Sequence, residues 1–208
     1  MNKFFTDLFS SFFIDFKNRR WVYVCAICAI MIGIIIGIIL SFTIEDLNVM
    51  LSLSEKNFVN YMKGDAELGS IFLEKFRWII VAYLYVVLFS FTNVTFVFGL
   101  MYICYQSAII ILTMGALISS FGFTGFLNSL LIVFPFNLML VVIISLLLIN
   151  LYIFFYNNKK SGEKLFSYKL DYFAYFRILC LIIAGFIVCV ILSYFIPYLL
   201  KSFIIVNF

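Results

Sequence analysis

The chain has 208 residues, 66% of them hydrophobic and only 12% charged, with a formal net charge of +4 and no histidine. Charged residues make up about 25% of an ordinary soluble domain, so a water-soluble core of usual composition is excluded, as are histidine-based metal binding and acid–base chemistry. The bases cluster at the ends of apolar runs rather than along one polar face, which argues against a nucleic-acid partner.

Residues 1–20 are expected to be cytoplasmic. Phe5, Phe9, Phe12 and Phe16 recur at helical spacing, the pattern of a helix lying in the membrane interface; the alternative is a plain extension of the first span. Lys17, Arg19 and Arg20 mark the cytoplasmic edge by the positive-inside rule. The first span is predicted over 21–42, with Trp21 and Tyr23 at interface depth. It is too long for the apolar part of a cleavable signal peptide and is expected to be retained. Gly33 and Gly37 form a GxxxG pair that lets another helix approach closely. Cys25 and Cys28 also lie in this run. Like Cys104, Cys180 and Cys189 they sit in apolar sequence, where cysteine behaves as a small hydrophobe.

Residues 43–76 are predicted to form an external loop. Thr43 and Asp46 have the spacing of a capping box, and Leu47, Met50, Leu51, Phe58, Tyr61 and Met62 follow at roughly helical intervals. Six acids (Glu45, Asp46, Glu55, Asp65, Glu67 and Glu74) against four bases (Lys56, Lys63, Lys75 and Arg77) make the loop slightly acidic, and Glu45, Asp46, Glu55, Asp65 and Glu67 make it a candidate partner-binding surface. The alternative is a helix packed over the mouth of the bundle.

From Trp78 to Asn158 run 81 residues without Asp, Glu, Lys or Arg. As one helix they would reach ~120 Å, about four times the hydrocarbon thickness of a bilayer. Lys159, Lys160, Lys164, Lys169 and Arg177 place the far end of the run inside, whereas it begins outside, so the number of crossings must be odd. Five would leave only ~16 residues each, fewer than a span needs, and three fit. The predicted spans are 78–96, 99–119 and 126–156, with a tight turn at Asn93, Thr95 and Gly99 and an external turn over 119–125. Pro135 is expected to break the last of them into a half-helix and a full span. A cytoplasmic loop over 157–176 and a fifth span over 177–200 complete the expectation. The result is an all-α polytopic bundle of about five transmembrane helices, a single membrane domain over 21–208, N-terminus in and C-terminus out. Its partner is the lipid bilayer of a bacterial cell membrane.

Asn93, Gln106, Asn128, Asn137 and Asn150 are the amides inside the spans, and amides there usually hydrogen-bond across helices. Asn137 is additionally placed to satisfy backbone groups freed by Pro135. No Asp, Glu, Lys or Arg lies deep within the spans, which counts against an ion-coupled pump. With no nucleophile–base pair, phosphate loop or metal-ligand spacing, the sequence predicts neither an enzyme nor a cofactor.

Residues 105–144 read YQSAIIILTMGALISSFGFTGFLNSLLIVFPFNLMLVVII. A small-residue span, a Gly-x-x-Gly turn, about ten apolar residues and a Pro-x-Asn break resemble the stage II sporulation protein M family, with Gly115, Gly122, Gly125, Pro135 and Asn137 as the matching positions. Many members have a polar residue where this chain has Phe136. The resemblance implies a non-enzymatic membrane scaffold that anchors or localises peptidoglycan-cleaving proteins, sporulation proteins D and P, during engulfment of the forespore. The competing expectation is a permease or ABC-type transmembrane subunit. Its substrate path would run past Pro135, and residues 159–177 would meet an ATP-binding-cassette ATPase.

Overall fold

The computed structural model describes residues 17, 19–44, 68–160, 172–195 and 198. Among them there is no strand. The helices are α1 (Arg20–Thr43), α2 (Leu68–Phe89), α3 (Asn93–Asn128), α4 (Phe134–Lys160) and α5 (Tyr172–Val190), with π-helical turns at Ser129–Val133 and Ile191–Phe195. Two stretches are long and apolar enough to cross a membrane, Arg20–Thr43 and the run Asn93–Tyr156; Phe176–Val188 is a shorter apolar helix.

Side-chain contacts fix the direction of each helix. Gly33 lies against Cys104 and Ser107, and Gly37 against Ala108 and Ile111, so α1 and α3 run parallel. Gly99 lies against Leu148 and Asn93 meets Tyr152, so α3 and α4 run antiparallel. Tyr85 stacks on Tyr102 and Phe89 packs near Phe98, which sets α2 antiparallel to α3. Phe72 reaches Tyr194 and Phe76 reaches Phe186, while Tyr83 donates to Ile182 O at 3.1 Å, so α5 opposes α2. Direction therefore alternates in chain order. Arg20, the 90–92 turn and Lys160 share one end of the bundle, here called the basic end. Gly122 marks the other.

α4 is the axle. Leu140, Val141, Ile144, Leu147, Leu148, Ile149 and Tyr152 are all buried among the other helices. α1 is peripheral and leaves Val24, Ile27, Met31, Ile35 and Ile38 exposed, burying chiefly its small residues Ala26, Ala29, Gly33 and Gly37. The GxxxG pair is thus an internal seam. A Cβ on Gly33 would run into the Cys104 carbonyl, and one on Gly37 would lie 2.7 Å from the Ala108 carbonyl.

Several boundaries differ from expectation. α2 begins at Leu68 rather than 78 and stops at Phe89 rather than 96, drawing residues assigned to the external loop into the bundle. The turn is Ser90–Thr92, and α3 starts at Asn93 because Thr92 and Thr95 cap each other. The Thr92 hydroxyl accepts from the Thr95 N–H at 3.1 Å and the Thr95 hydroxyl from the Thr92 N–H at 2.9 Å. Asn93, Thr95 and Gly99 are consequently helical, and Gly99 is buried under Leu148. The 119–125 link is not a loop. The chain reverses at Gly122 alone, with φ +56° and ψ −129°, a conformation in which a Cβ is strained. Gly125 then packs against the Leu117 carbonyl of the preceding arm. The expected break at Pro135 is also absent. In the π turn before it the Phe134 N–H bonds Ser129 O, and Phe134 stays helical at φ −64°, ψ −50°. The wider turn accommodates the proline in the first turn of α4, where a missing donor costs little. α5 starts at Tyr172, so 172–176 and 157–160 are helical rather than loop.

Candidate functional site

The matching positions of the family resemblance gather toward the Gly122 end. Gly122 is exposed at the reversal, Gly125 is buried beneath it, and Gly115 is half-buried within α3. Pro135 and Asn137 are half-buried at the head of α4, and Phe136 between them is only 2% exposed. The five acids of the proposed docking loop, Glu45, Asp46, Glu55, Asp65 and Glu67, lie outside the described residues, as does most of the N-terminal segment.

Sequence reasoning missed Lys75. It was assigned to water with the external loop, yet it is 6% exposed and its ammonium sits 4.5 Å from the centroid of the Phe136 ring. A cation over an aromatic face gains about 2 kcal/mol when desolvated, which offsets part of the burial cost. The middle position of Pro-x-Asn is therefore a platform for a charge supplied by α2. The available signal was periodicity: Phe72, Phe76, Ile79 and Tyr83 continue one apolar stripe upstream of Trp78, and Lys75 rides beside it.

The in-span amides behave differently from expectation. Asn93 bonds across helices, accepting from the Tyr152 hydroxyl at 2.8 Å. Asn150 donates to Leu146 O of its own helix, and Gln106 to the Tyr102 hydroxyl one turn back. Ser107, Thr113 and Ser145 likewise bond carbonyls four residues earlier. Within a single helix such bonds satisfy the side chain without calling on a neighbour. Asn128 is the exception: 4% exposed, its Nδ2 has no hydrogen-bond partner. Cys25, Cys28, Cys104 and Cys180 are free thiols.

On the other side of α2 from Phe136, one helical face lines a groove of about 580 Å³. It comprises Ser70, Leu73, Glu74, Arg77, Trp78 and Val81. Leu73, Arg77 and Trp78 are exposed there, while Ser70, Glu74 and Val81 are half-buried. The two regular features of the site are therefore a buried cation facing α4 and an ionic, aromatic-edged groove facing outward.

No family model matches the chain, no curated protein matches it, and no solved structure does.

Proposed function

We propose that the chain is a five-span integral membrane scaffold, N-terminus cytoplasmic and C-terminus outside, that holds an extracytoplasmic partner at its Gly122 end. The observation that carries this is the pairing of alternating helix directions with charge. Arg19, Arg20 and the Lys159–Lys160 end of α4 share one end of the bundle, where the positive-inside rule puts the cytoplasm. The apolar side chains left exposed along α1, α2 and α3 then face lipid. Ile44 packs level with Leu112 and Ala116, so the α3–α4 reversal extends roughly 9–15 Å beyond α1 at 1.5 Å per residue. Phe123 is 74% exposed on that projection, an anchor for a protein surface.

The partner class comes from the resemblance to stage II sporulation protein M: peptidoglycan-remodelling enzymes such as sporulation proteins D and P. In this role the chain anchors and does not cleave. The threading is tested by cysteine labelling in an otherwise cysteine-free protein. Phe123→Cys is expected to react from outside, and Val94→Cys and Lys164→Cys only from the cytoplasm. Labelling of Phe123→Cys and Val94→Cys from one side would overturn the threading. For the scaffold role, intact protein is compared with a form in which residues 44–62 are scrambled, using proteins D and P as prey. Recovery should be lost in the scrambled form, and equal recovery counts against the loop.

A permease remains a second reading, favoured by one observation. Buried Lys75 beside the Pro135 segment places an ionisable group within the bundle, as transport paths do. Co-purification of an ATP-binding-cassette ATPase, with flux abolished by Pro135→Ala plus Asn137→Ala, would select it.

A further inference from the structure

We propose that the α2 groove is a phospholipid site of the outer leaflet, holding a zwitterionic headgroup whose primary ammonium, with N–H donors for a carboxylate, lies distal to its phosphate. The site presupposes the membrane threading proposed for the bundle. Ser70, Leu73, Glu74, Arg77, Trp78 and Val81 follow at i, i+3, i+4, i+7, i+8 and i+11, so among the described residues the cavity is lined by one continuous face of α2. Its chemistry is graded along the helix axis. From the Gly122 end inward its polar groups run hydroxyl, carboxylate, guanidinium and indole before Val81, with the exposed Leu73 between the hydroxyl and the carboxylate.

That order matches a lipid lying alongside α2. A phosphate at Arg77 leaves the headgroup amine one turn further out, beside Glu74. The acyl chain runs the other way, past Trp78 and Val81 toward the exposed Leu84 and Leu88. Helical side chains lean toward the helix N-terminus, which for α2 is the outer end, so Arg77 reaches up to headgroup depth while its stem stays in apolar surroundings. Among the described residues no hydrogen bond or ion pair engages the Arg77 guanidinium, and a phosphate is the partner its fork geometry fits. A carboxylate has several acceptor sites, so Glu74 can take an ammonium beside any protein contact it makes. Trp78, 46% exposed, supplies the amphipathic edge that side chains of its kind provide at the interface. An anionic headgroup without the amine meets Glu74 as a like charge and is disfavoured.

The chain has two tryptophans, Trp21 and Trp78, and they lie at opposite ends of the bundle. Fluorescence of full-length Trp21→Phe protein therefore reports on the groove alone. The protein is reconstituted in phosphatidylcholine with brominated-chain phosphatidylethanolamine, phosphatidylglycerol or phosphatidylcholine as quencher. Brominated phosphatidylethanolamine is expected to outcompete the other two by about fivefold in relative binding constant, the factor one charged side chain is worth at a lipid surface. Arg77→Gln should abolish the preference, and Glu74→Gln should bring phosphatidylglycerol level with phosphatidylethanolamine. Equal quenching by all three in the parent protein overturns the headgroup site while leaving the threading intact. Absence of quenching by any of them overturns the placement of α2 in the bilayer.

Discussion

The two ends of the bundle are built on opposite terms. At the basic end, aromatic side chains tie four segments together. Tyr152 stacks on Phe96 at 4.3 Å, meets Trp21 edge-on at 6.3 Å and donates to Asn93, while Phe91 packs on Phe155 at 4.5 Å and Arg19 sits 4.3 Å over Tyr156. The Gly122 end instead collects the irregular features. It has the single-residue reversal, the Ser129–Val133 π turn ahead of Pro135, a buried Lys75 and the unpaired amide of Asn128. The Ile191–Phe195 π turn lies there too, since Tyr194 meets Phe72 near the start of α2. π turns recur at functional sites. The contrast sets a basic end that holds the bundle together against the Gly122 end, where the proposed partner site falls.

The largest effect should come from removing the knot. Tyr152→Ala deletes the stack, the edge contact and the hydrogen bond at once, and is expected to destabilise by about 3–5 kcal/mol, as large aromatic truncations in cores do. Thermal unfolding in detergent measures it. A loss under about 1 kcal/mol, the size of an ordinary single substitution, would mean that the basic end is not the structural one.

Much of the architecture was legible because apolar run length and charge placement carry it. The α1 boundaries, the close helix approach at Gly33 and Gly37 and a turn somewhere within 119–125 all follow from residue types whose physics is local; the turn's narrowing to Gly122 is seen only in the structure. Gly122 needs no Cβ at positive φ, and Gly33 and Gly37 need none against a carbonyl. Pro135 misled because its missing donor was weighed against an α-helical turn, whereas a π turn takes the proline without a break. Lys75 misled more deeply. Its charge puts it in the external loop by sequence, but a long side chain can be buried when an aromatic face receives the ammonium, and that face comes from a residue 61 positions later. No spacing rule connects the two. The same error set the start of α2 ten residues late and left Ser70, Leu73 and Glu74 of the groove in a loop.

If the Gly122 end trades stability for function, relieving its strain should stabilise the protein. Asn128→Leu conserves approximate volume and removes a buried amide donor that nothing receives. The expected gain is about 1–3 kcal/mol, the cost of leaving such a group unsatisfied. The melting temperature in detergent should rise, while pull-down of the partner proposed for this end should weaken if the amide is held for it. A fall in stability would show that Asn128 is bonded in solution, and the contrast between the ends would narrow to the backbone alone.

The smallest and sharpest test concerns Lys75. Replacing a buried charge with an apolar side chain of similar shape is often neutral or stabilising, so Lys75→Met should leave the melting temperature unchanged or higher. Stability alone cannot then report the contact with Phe136, and a double-mutant cycle is required. Lys75→Met, Phe136→Leu and the double variant should yield a coupling of about 1–2 kcal/mol, the range for a desolvated cation over a ring. A coupling near zero would mean that the ring only fills space beneath the ammonium. The Gly122 end would then owe its buried cation to some other neighbour, and Phe136 would be a simple apolar replacement at the middle of Pro-x-Asn rather than the receiver of a charge from α2.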